Sequence, residues 1–119
     1  MVDISVVVVE GELVMDRLGD LGRLEEPSLL VLVSLSSGHK HGYAIQTDVA
    51  SFAGVHLGPG TMYAVLPRLE RLGLVEALAS DDRRRPYRLT GAGEGCLRNA
   101  LDRQNVIARI GLDRLGAER

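Results

Sequence analysis

Residues 58–73 read GPGTMYAVLPRLERLG and predict an amphipathic helix that lies between two glycines. At the helical repeat of 3.6 residues, the large apolar side chains share one face; they are Met62, Val65, Leu66, Leu69 and Leu72. Thr61, Tyr63 and Arg68 share the opposite face, which therefore carries hydroxyl and guanidinium groups. We expect the apolar face to pack into a core and the polar face to meet solvent or a partner.

Two further helices are predicted before this stretch. The first starts at Glu26-Pro27, where proline suits the first helical position, and it ends at Gly38. Because Leu29–Leu35 is apolar on nearly every side, this helix is expected to be central and buried. The second runs from about His41 to Phe52 with one core stripe, which consists of Ile45, Val49 and Phe52. Val55–Leu57 is short enough to form a single bridging strand.

A hairpin and a last helix are predicted after residue 73. Residues 74–79 and 86–90 change to the two-residue alternation of strands, and a charged tip separates them. Thr90 is a good N-cap for a helix from about Ala92 to Leu115. Helix, helix, short strand, helix, hairpin and helix is the order of a winged helix-turn-helix. The predicted fold class is mainly α with a small β-hairpin wing and a C-terminal dimerisation helix.

The chain divides into three predicted parts. Residues 1–25 form an N-terminal extension with a possible short helix, residues 26–90 form the winged helix-turn-helix domain, and residues 91–119 form the dimerisation helix. The apolar stripe of that last helix lacks a partner in a domain already closed by three helices, so we expect a homodimer. The residues predicted to form its interface are Leu97, Leu101, Ile107, Ala108 and Leu115.

Composition limits the function. The chain has 119 residues with 45% apolar and 25% charged, as in an ordinary globular protein. The longest wholly apolar run is Leu29–Val33, far short of the roughly 20 residues that span a membrane. No signal sequence is evident and one cysteine cannot form an internal disulfide, so we expect a cytoplasmic protein. No catalytic motif is present, so an enzyme is not expected.

Charge is unevenly distributed along the chain. The formal net charge is −2 and the pI is about 5.9, which weakly disfavours a nucleic-acid partner. However, residues 1–26 alone hold seven acidic and two basic side chains. Three arginines stand together at positions 83–85, in the tip of the predicted hairpin. The field at that one face therefore differs from the average of the chain.

Three local motifs resemble the PadR-type transcriptional regulators. They are His41–Ile45 at the start of the second helix, Gly58–Tyr63 with the helix that follows, and Pro86–Thr90 followed by Gly93. The resemblance covers more than half of the chain. It implies a DNA-binding repressor that acts as a homodimer through its terminal helices. It also implies that a small-molecule inducer, which some members bind between the helices of the dimer, is possible here.

The predicted DNA-binding surface combines the third helix, the start of the second helix and the wing. Small residues at the leading end of a helix allow close approach to base edges and phosphates, and arginines hold phosphates or enter narrow minor grooves. For Tyr43, a half-buried core position is an equally good interpretation. The full set is Lys40, His41, Tyr43, Gly60, Thr61, Tyr63, Arg68, Arg83, Arg84, Arg85 and Tyr87.

Two departures from the family pattern concern the third helix. Gly58 stands where the family has a serine-like cap, so the helix start is expected to be capped less well. Pro67 stands where a polar residue is usual and Ala64 where proline is common. Because proline removes one backbone hydrogen bond inside a helix, we expect a bend at residues 63–67.

Three functions stay open from the sequence. The leading hypothesis is a sequence-specific repressor that binds a double-stranded DNA operator and is released by a small-molecule inducer at the dimer interface. A winged-helix module that binds protein and not DNA would suit the low pI. A metal-responsive regulator would use His39 and His41, but no carboxylate or cysteine lies near them in sequence. No cofactor and no metal ligand are therefore assigned.

Overall fold

The computed structural model describes residues 25–81 and 84–116. Three helices are followed by a two-stranded hairpin and one long helix, so the predicted winged helix-turn-helix fold is confirmed. The elements are α1 (Glu25–Leu35), α2 (Gly42–Ala53), α3 (Pro59–Arg71), β1 (Val75–Ala77), β2 (Tyr87–Leu89) and α4 (Gly91–Gly116). The short helix predicted within the N-terminal extension lies outside the described residues.

Helix α1 is the centre of the core and contacts α2, α3, α4 and β2. Its apolar sequence explains this position, because Val31 and Leu32 are both fully buried and lie on different sides of the helix. The other helices contribute one stripe each, with Ile45 and Val49 from α2 and Leu69 from α3 completely buried. A single apolar core thus fixes the three helices relative to one another.

One side chain of the predicted α2 stripe lies outside this core. Phe52 is 47% exposed, whereas Ile45 and Val49, at the preceding positions of the same stripe, are buried. The expectation of a core position for Phe52 is therefore wrong. Phe52 occupies the last turn before Gly54, where α2 extends past the part of its length that packs in the core.

The wing is shorter than predicted, and the segment that forms a backbone bridge to it differs from the predicted one. Strands β1 and β2 pair antiparallel with Val75 opposite Leu89 and Ala77 opposite Tyr87. The predicted strand at Val55–Leu57 does not form. The bridge to β2 comes instead from Lys40, in the α1–α2 loop, which pairs with Tyr87. The Leu57 carbonyl accepts a hydrogen bond from Gln46 Nε2 at 2.6 Å, so a side chain and not a strand satisfies it.

The start of α4 is held tightly against the base of the wing. Thr90 is its N-cap as predicted, since its Oγ1 accepts a hydrogen bond from the Gly93 N–H at 3.0 Å. The Thr90 hydroxyl also donates to the Gly73 carbonyl at 2.6 Å. Gly93 is required by close packing, because a Cβ there would collide with the Leu74 carbonyl oxygen and lie 2.8 Å from Leu89 Cδ1.

Helix α4 leaves the core part-way along its length. Its buried residues all belong to the first three turns and are Gly93, Cys96, Leu97 and Ala100. From Leu101 onward no side chain of the described helix is buried. Leu97 is only 5% exposed within a single chain, so the exposed part of the predicted interface begins at Leu101.

Candidate nucleic-acid interface

A groove of about 330 Å³ lies between the start of α2, the helix α3 and the wing. Several side chains that the sequence predicts to bind DNA line it together, and these are Tyr43, Tyr63, Arg84, Arg85 and Tyr87. All three tyrosines of the chain therefore surround one surface feature, although they come from three different elements. The groove places aromatic rings next to two guanidinium groups, a combination that suits a nucleic-acid backbone and its sugars.

The tyrosines of α2 and α3 point away from the core. Tyr43 is 71% exposed and Tyr63 is 82% exposed. The alternative interpretation of Tyr43 as a half-buried core aromatic is therefore wrong. Tyr87 is partly buried and packs against the core while its side chain lines the groove. One ring is thus anchored and two are free to meet a partner.

Helix α3 presents its polar face to solvent as the sequence predicts. Gly60 and Arg68 are exposed and Thr61 is half-buried, while Leu69 of the opposite face is buried. The helix starts after Gly58, which supplies no side-chain cap, and it continues through Pro67. The helix is continuous on both sides of Pro67, and the ring of Pro67 is one of the groups that line the groove.

The arginine side chains that the structure describes on α3 and at the wing tip are available to contact a negatively charged partner. Within the described residues, Arg68, Arg71 and Arg84 belong to none of the ion pairs. Arg85 Nε donates only a long hydrogen bond to the Leu78 carbonyl, at 3.4 Å. Arg83 lies outside the described residues. Among the described residues, the guanidinium groups of Arg68, Arg71, Arg84 and Arg85 have no carboxylate partner, which favours contacts to phosphate.

The structure does not bring Lys40 to this surface. Its ammonium group donates hydrogen bonds to the Ser34 carbonyl and to Ser37 Oγ, away from the groove. Its neighbour His41 is exposed at the N-cap of α2, and its side chain makes no capping hydrogen bond. The residue type of Lys40 suits a DNA contact, but the side chain is turned inward by contacts that a linear pattern does not contain.

Groove residues that the sequence did not single out are apolar or neutral. Met62 and Leu66 line the groove although they belong to the predicted core stripe of α3. Gln46 also lines it, and one turn of helix separates Gln46 from Tyr43. This spacing could have identified Gln46 as a groove residue, because residues three apart in a helix share a face.

A second cavity of about 730 Å³ lies on the other side of β2, where α4 leaves the domain. It is bordered by the end of α1, by β2 and by the first turns of α4. Leu97 and Leu101 give it an apolar wall, and His39, Arg88 and Arg98 add polar groups. Arg88 pairs with Glu76 at 3.0 Å, so one of these charges is already partnered.

Neither a metal cluster nor a membrane span occurs along the described ranges, 25–81 and 84–116. No group of three or more His, Cys, Asp or Glu side chains in these ranges is arranged to hold a metal ion. Their helices also include none that is long and apolar enough to cross a membrane.

A sequence model of the transcriptional regulator PadR-like family matches residues 31–99, which include the end of α1, the elements α2 to β2 and the start of α4. The chain belongs to the PadR-like family. Members of this family are DNA-binding transcriptional regulators. The three motifs that suggest the resemblance all fall within the matched residues.

Known proteins similar to this PadR-like chain include one curated sequence and several solved structures. An uncharacterized 37.1 kDa protein in transposon TN4556 of Streptomyces fradiae is 42% identical over 89 residues, which cover 74% of this chain. The chain spans only about 25% of that relative's length. A PadR family transcription regulator from Clostridium difficile is 26% identical with a TM-score of 0.67, and the match covers 74% of this chain and 96% of that one.

A more distant structure shows the same fold. A PadR-like transcription factor from Bacteroides fragilis is 21% identical, with a TM-score of 0.65 over 78% of this chain and 92% of that one.

Proposed function

We propose that this PadR-like chain is a homodimeric, sequence-specific repressor that binds a double-stranded DNA operator in the cytoplasm and is released by a small-molecule inducer. The observation that carries the DNA-binding part is the groove where Tyr43, Tyr63 and Tyr87 meet Arg84 and Arg85. It lies beside α3, so α3 would enter the major groove while the wing follows the adjacent backbone.

Different parts of this surface would do different work. Thr61 and Arg68 of α3 are the side chains proposed to reach base edges, because hydroxyl and guanidinium groups can distinguish bases there. The tyrosine hydroxyls and the wing arginines would hold phosphates, which fixes the register without reading sequence. Apolar groove walls would pack against sugars. Specificity therefore rests on α3, and most of the salt-dependent affinity rests on the wing.

The dimer would form through the part of α4 that leaves the core. Leu101, Ala108 and Leu115 are spaced by seven residues along this helix, and Gln104 and Gly111 form a second set with the same spacing. Two sets of residues that each repeat every seven positions are typical of helices that pack side by side in a coiled coil, and these residues form the seam between the helices. Small residues in the seam allow close approach of the two helices.

Three more apolar side chains lie beside that seam, and each is at least 45% exposed; they are Val106, Ile107 and Ile110. An exposed apolar surface of this length supports an interface.

The larger cavity supports the inducer part of the proposal. Its volume of about 730 Å³ is within the range of small-molecule sites, and Leu97, Arg98 and Leu101 of α4 border it. A ligand there would touch the helix that joins the two copies. A change in the direction of α4 would then alter the distance between the two DNA-binding surfaces, and the dimer would lose its fit to both half-sites.

The DNA-binding part is tested by fluorescence anisotropy with DNA taken from upstream of the gene for this chain, against random DNA, at two salt concentrations. We expect tighter binding to a site in the upstream DNA and weaker binding at higher salt. Arg68→Ala should reduce operator binding, while Arg109→Ala, an exposed arginine on α4, should not. Equal affinity of the parent protein for both DNAs, or no binding to either, would contradict the proposal and favour a protein-binding module.

The inducer part needs a separate measurement. A compound that fits the cavity should raise the melting temperature of the protein and release DNA, because it binds one conformation better than the other. Both effects should be weaker in Arg98→Ala. A compound that stabilises the protein without any change in DNA affinity would show that the cavity binds ligands but does not control the operator.

A further inference from the structure

Lys40 is the only lysine in the sequence, and its ammonium group is turned into the protein. Nζ donates hydrogen bonds to the Ser34 carbonyl and, at 2.7 Å, to Ser37 Oγ. It also lies 4.0 Å from Asp48 Oδ2, and its side chain is only 19% exposed. Ser34 Oγ donates to the same carboxylate oxygen at 2.8 Å. The group is therefore held by contacts from both α1 and α2.

The end of α1 explains why a cation is held there. The last carbonyls of a helix lack backbone donors and form the negative end of its dipole. Helix α1 has no basic residue in its own last turn. Lys40, in the loop that follows, supplies the positive charge instead, and Asp48 on α2 completes the arrangement.

The backbone of Lys40 connects this arrangement to the wing. Its N–H donates to the Tyr87 carbonyl at 3.0 Å, and the Tyr87 N–H donates to the Lys40 carbonyl at 2.8 Å. The ring of Tyr87 lines the DNA-facing groove, and Arg85 stands two residues before it. One residue thus joins the end of α1 and the middle of α2 through its side chain and the start of β2 through its backbone.

We propose that Lys40 is a positioning residue for the wing. Its ammonium group fixes the α1–α2 loop, and the loop, through the paired backbones, sets where Tyr87 and the wing arginines stand relative to α3. This inference rests on the proposed DNA-binding function. It replaces the expectation that Lys40 touches DNA, because a phosphate contact would require the ammonium group to leave Ser34 and Ser37.

The first test uses the fact that Lys40 carries the only side-chain amine. The protein is acetylated with an amine-reactive ester, and the modification of Lys40 is followed by peptide mass spectrometry. We expect slow modification in the folded protein, fast modification in urea, and an intermediate rate in Ser37→Ala, which removes one acceptor of the ammonium group. Addition of operator DNA should leave the rate unchanged. Fast modification of the folded protein, or strong protection by DNA, would overturn the proposal.

The second test separates positioning from simple stabilisation. Operator affinity is measured for Lys40→Met in the parent and in the Arg84→Ala/Arg85→Ala background. Each affinity is calculated from the concentration of folded protein. We expect Lys40→Met to weaken binding by about tenfold in the parent and by less than about twofold when the wing arginines are absent, since coupled positions are not additive. Arg68→Ala is the matched control and should weaken binding by the same factor in both backgrounds.

The outcomes of the two tests are distinct. If Lys40→Met weakens binding equally in both backgrounds, Lys40 acts through stability or its own contact, and the proposal is overturned. If Lys40→Met does not fold, Ser37→Ala is compared in the same two backgrounds. We expect a smaller loss of affinity, which is again larger in the parent than in the background without the wing arginines. If the parent protein binds no DNA, the proposed function fails, whereas the acetylation rates still report whether the ammonium group is held inside.

Discussion

Replacement of Gly93 by alanine should destabilise the domain, although alanine is the better helix former. A Cβ on residue 93 would lie 2.9 Å from the carbonyl carbon of Leu74, closer still to its oxygen, and 2.8 Å from Leu89 Cδ1. The Leu89 side chain can rotate away, but the Leu74 backbone cannot move alone. Its carbonyl oxygen accepts a hydrogen bond from the Thr90 N–H at 3.1 Å, so the base of the wing must separate from α4.

The magnitude follows from three contributions. Overpacking costs about 1–3 kcal/mol, and a weakened Leu74–Thr90 hydrogen bond costs about 0.5–1.5 kcal/mol. Alanine returns at most about 1 kcal/mol of helix propensity. We therefore expect Gly93→Ala to reduce the free energy of unfolding by about 0.5–4.5 kcal/mol, measured by urea denaturation at one fixed protein concentration.

Gly95 is the matched control for this substitution. It lies in the same helix, is exposed, and would meet nothing within 4 Å of an added Cβ. Gly95→Ala should therefore raise the free energy of unfolding by up to about 1 kcal/mol. Opposite signs for the two variants would support the packing shown here. Stabilisation by both would mean that α4 does not lie this close to the Leu74 carbonyl, and the described junction would be incorrect.

Three further predictions concern the core, the wing and the long helix. Leu69→Ala should lower the free energy of unfolding by about 2–5 kcal/mol in urea denaturation, since this leucine is fully buried; a decrease below about 1 kcal/mol would contradict its core position. Alanine at all three arginines 83–85 should reduce the slope of log K against log salt by about 0.9 for each phosphate that the wing no longer neutralises, and an unchanged slope would mean that the tip faces solvent. Leu101→Asp should convert a dimer into a monomer by light scattering, with weaker operator binding; a parent protein that is already monomeric at micromolar concentration would contradict the dimer.

Local signals in the sequence account for most of the fold. Apolar periodicity located the helices, and Gly54, with a φ of 67°, ends α2 close to the predicted end at Phe52. Thr90 caps α4 because its hydroxyl is one turn from the N–H that it accepts. Such features depend on residues a few positions apart, so a single sequence contains them.

Features that depend on distant pairs were not predictable. The backbone of Lys40 pairs with that of Tyr87, 47 positions later in the chain, and nothing near either residue indicates that pairing. The sequence instead favoured Val55–Leu57, which has strand-like composition. For the candidate site, residue types identified the tyrosines and wing arginines, but the direction of the Lys40 side chain required the positions of Ser34 and Asp48.

The proposed association of two chains through the outer part of α4 would make the stability of the protein depend on its concentration. Residues 101–116 contribute no buried side chain to their own domain, and a helix of this length is marginal in water without packing. Formation of this segment and association of two chains would therefore be one coupled equilibrium. Dilution would not merely separate two finished subunits, because it would also unwind the segment that joins them. The amount of regulator in the cell would then set how much of it exists as a complete, DNA-competent molecule.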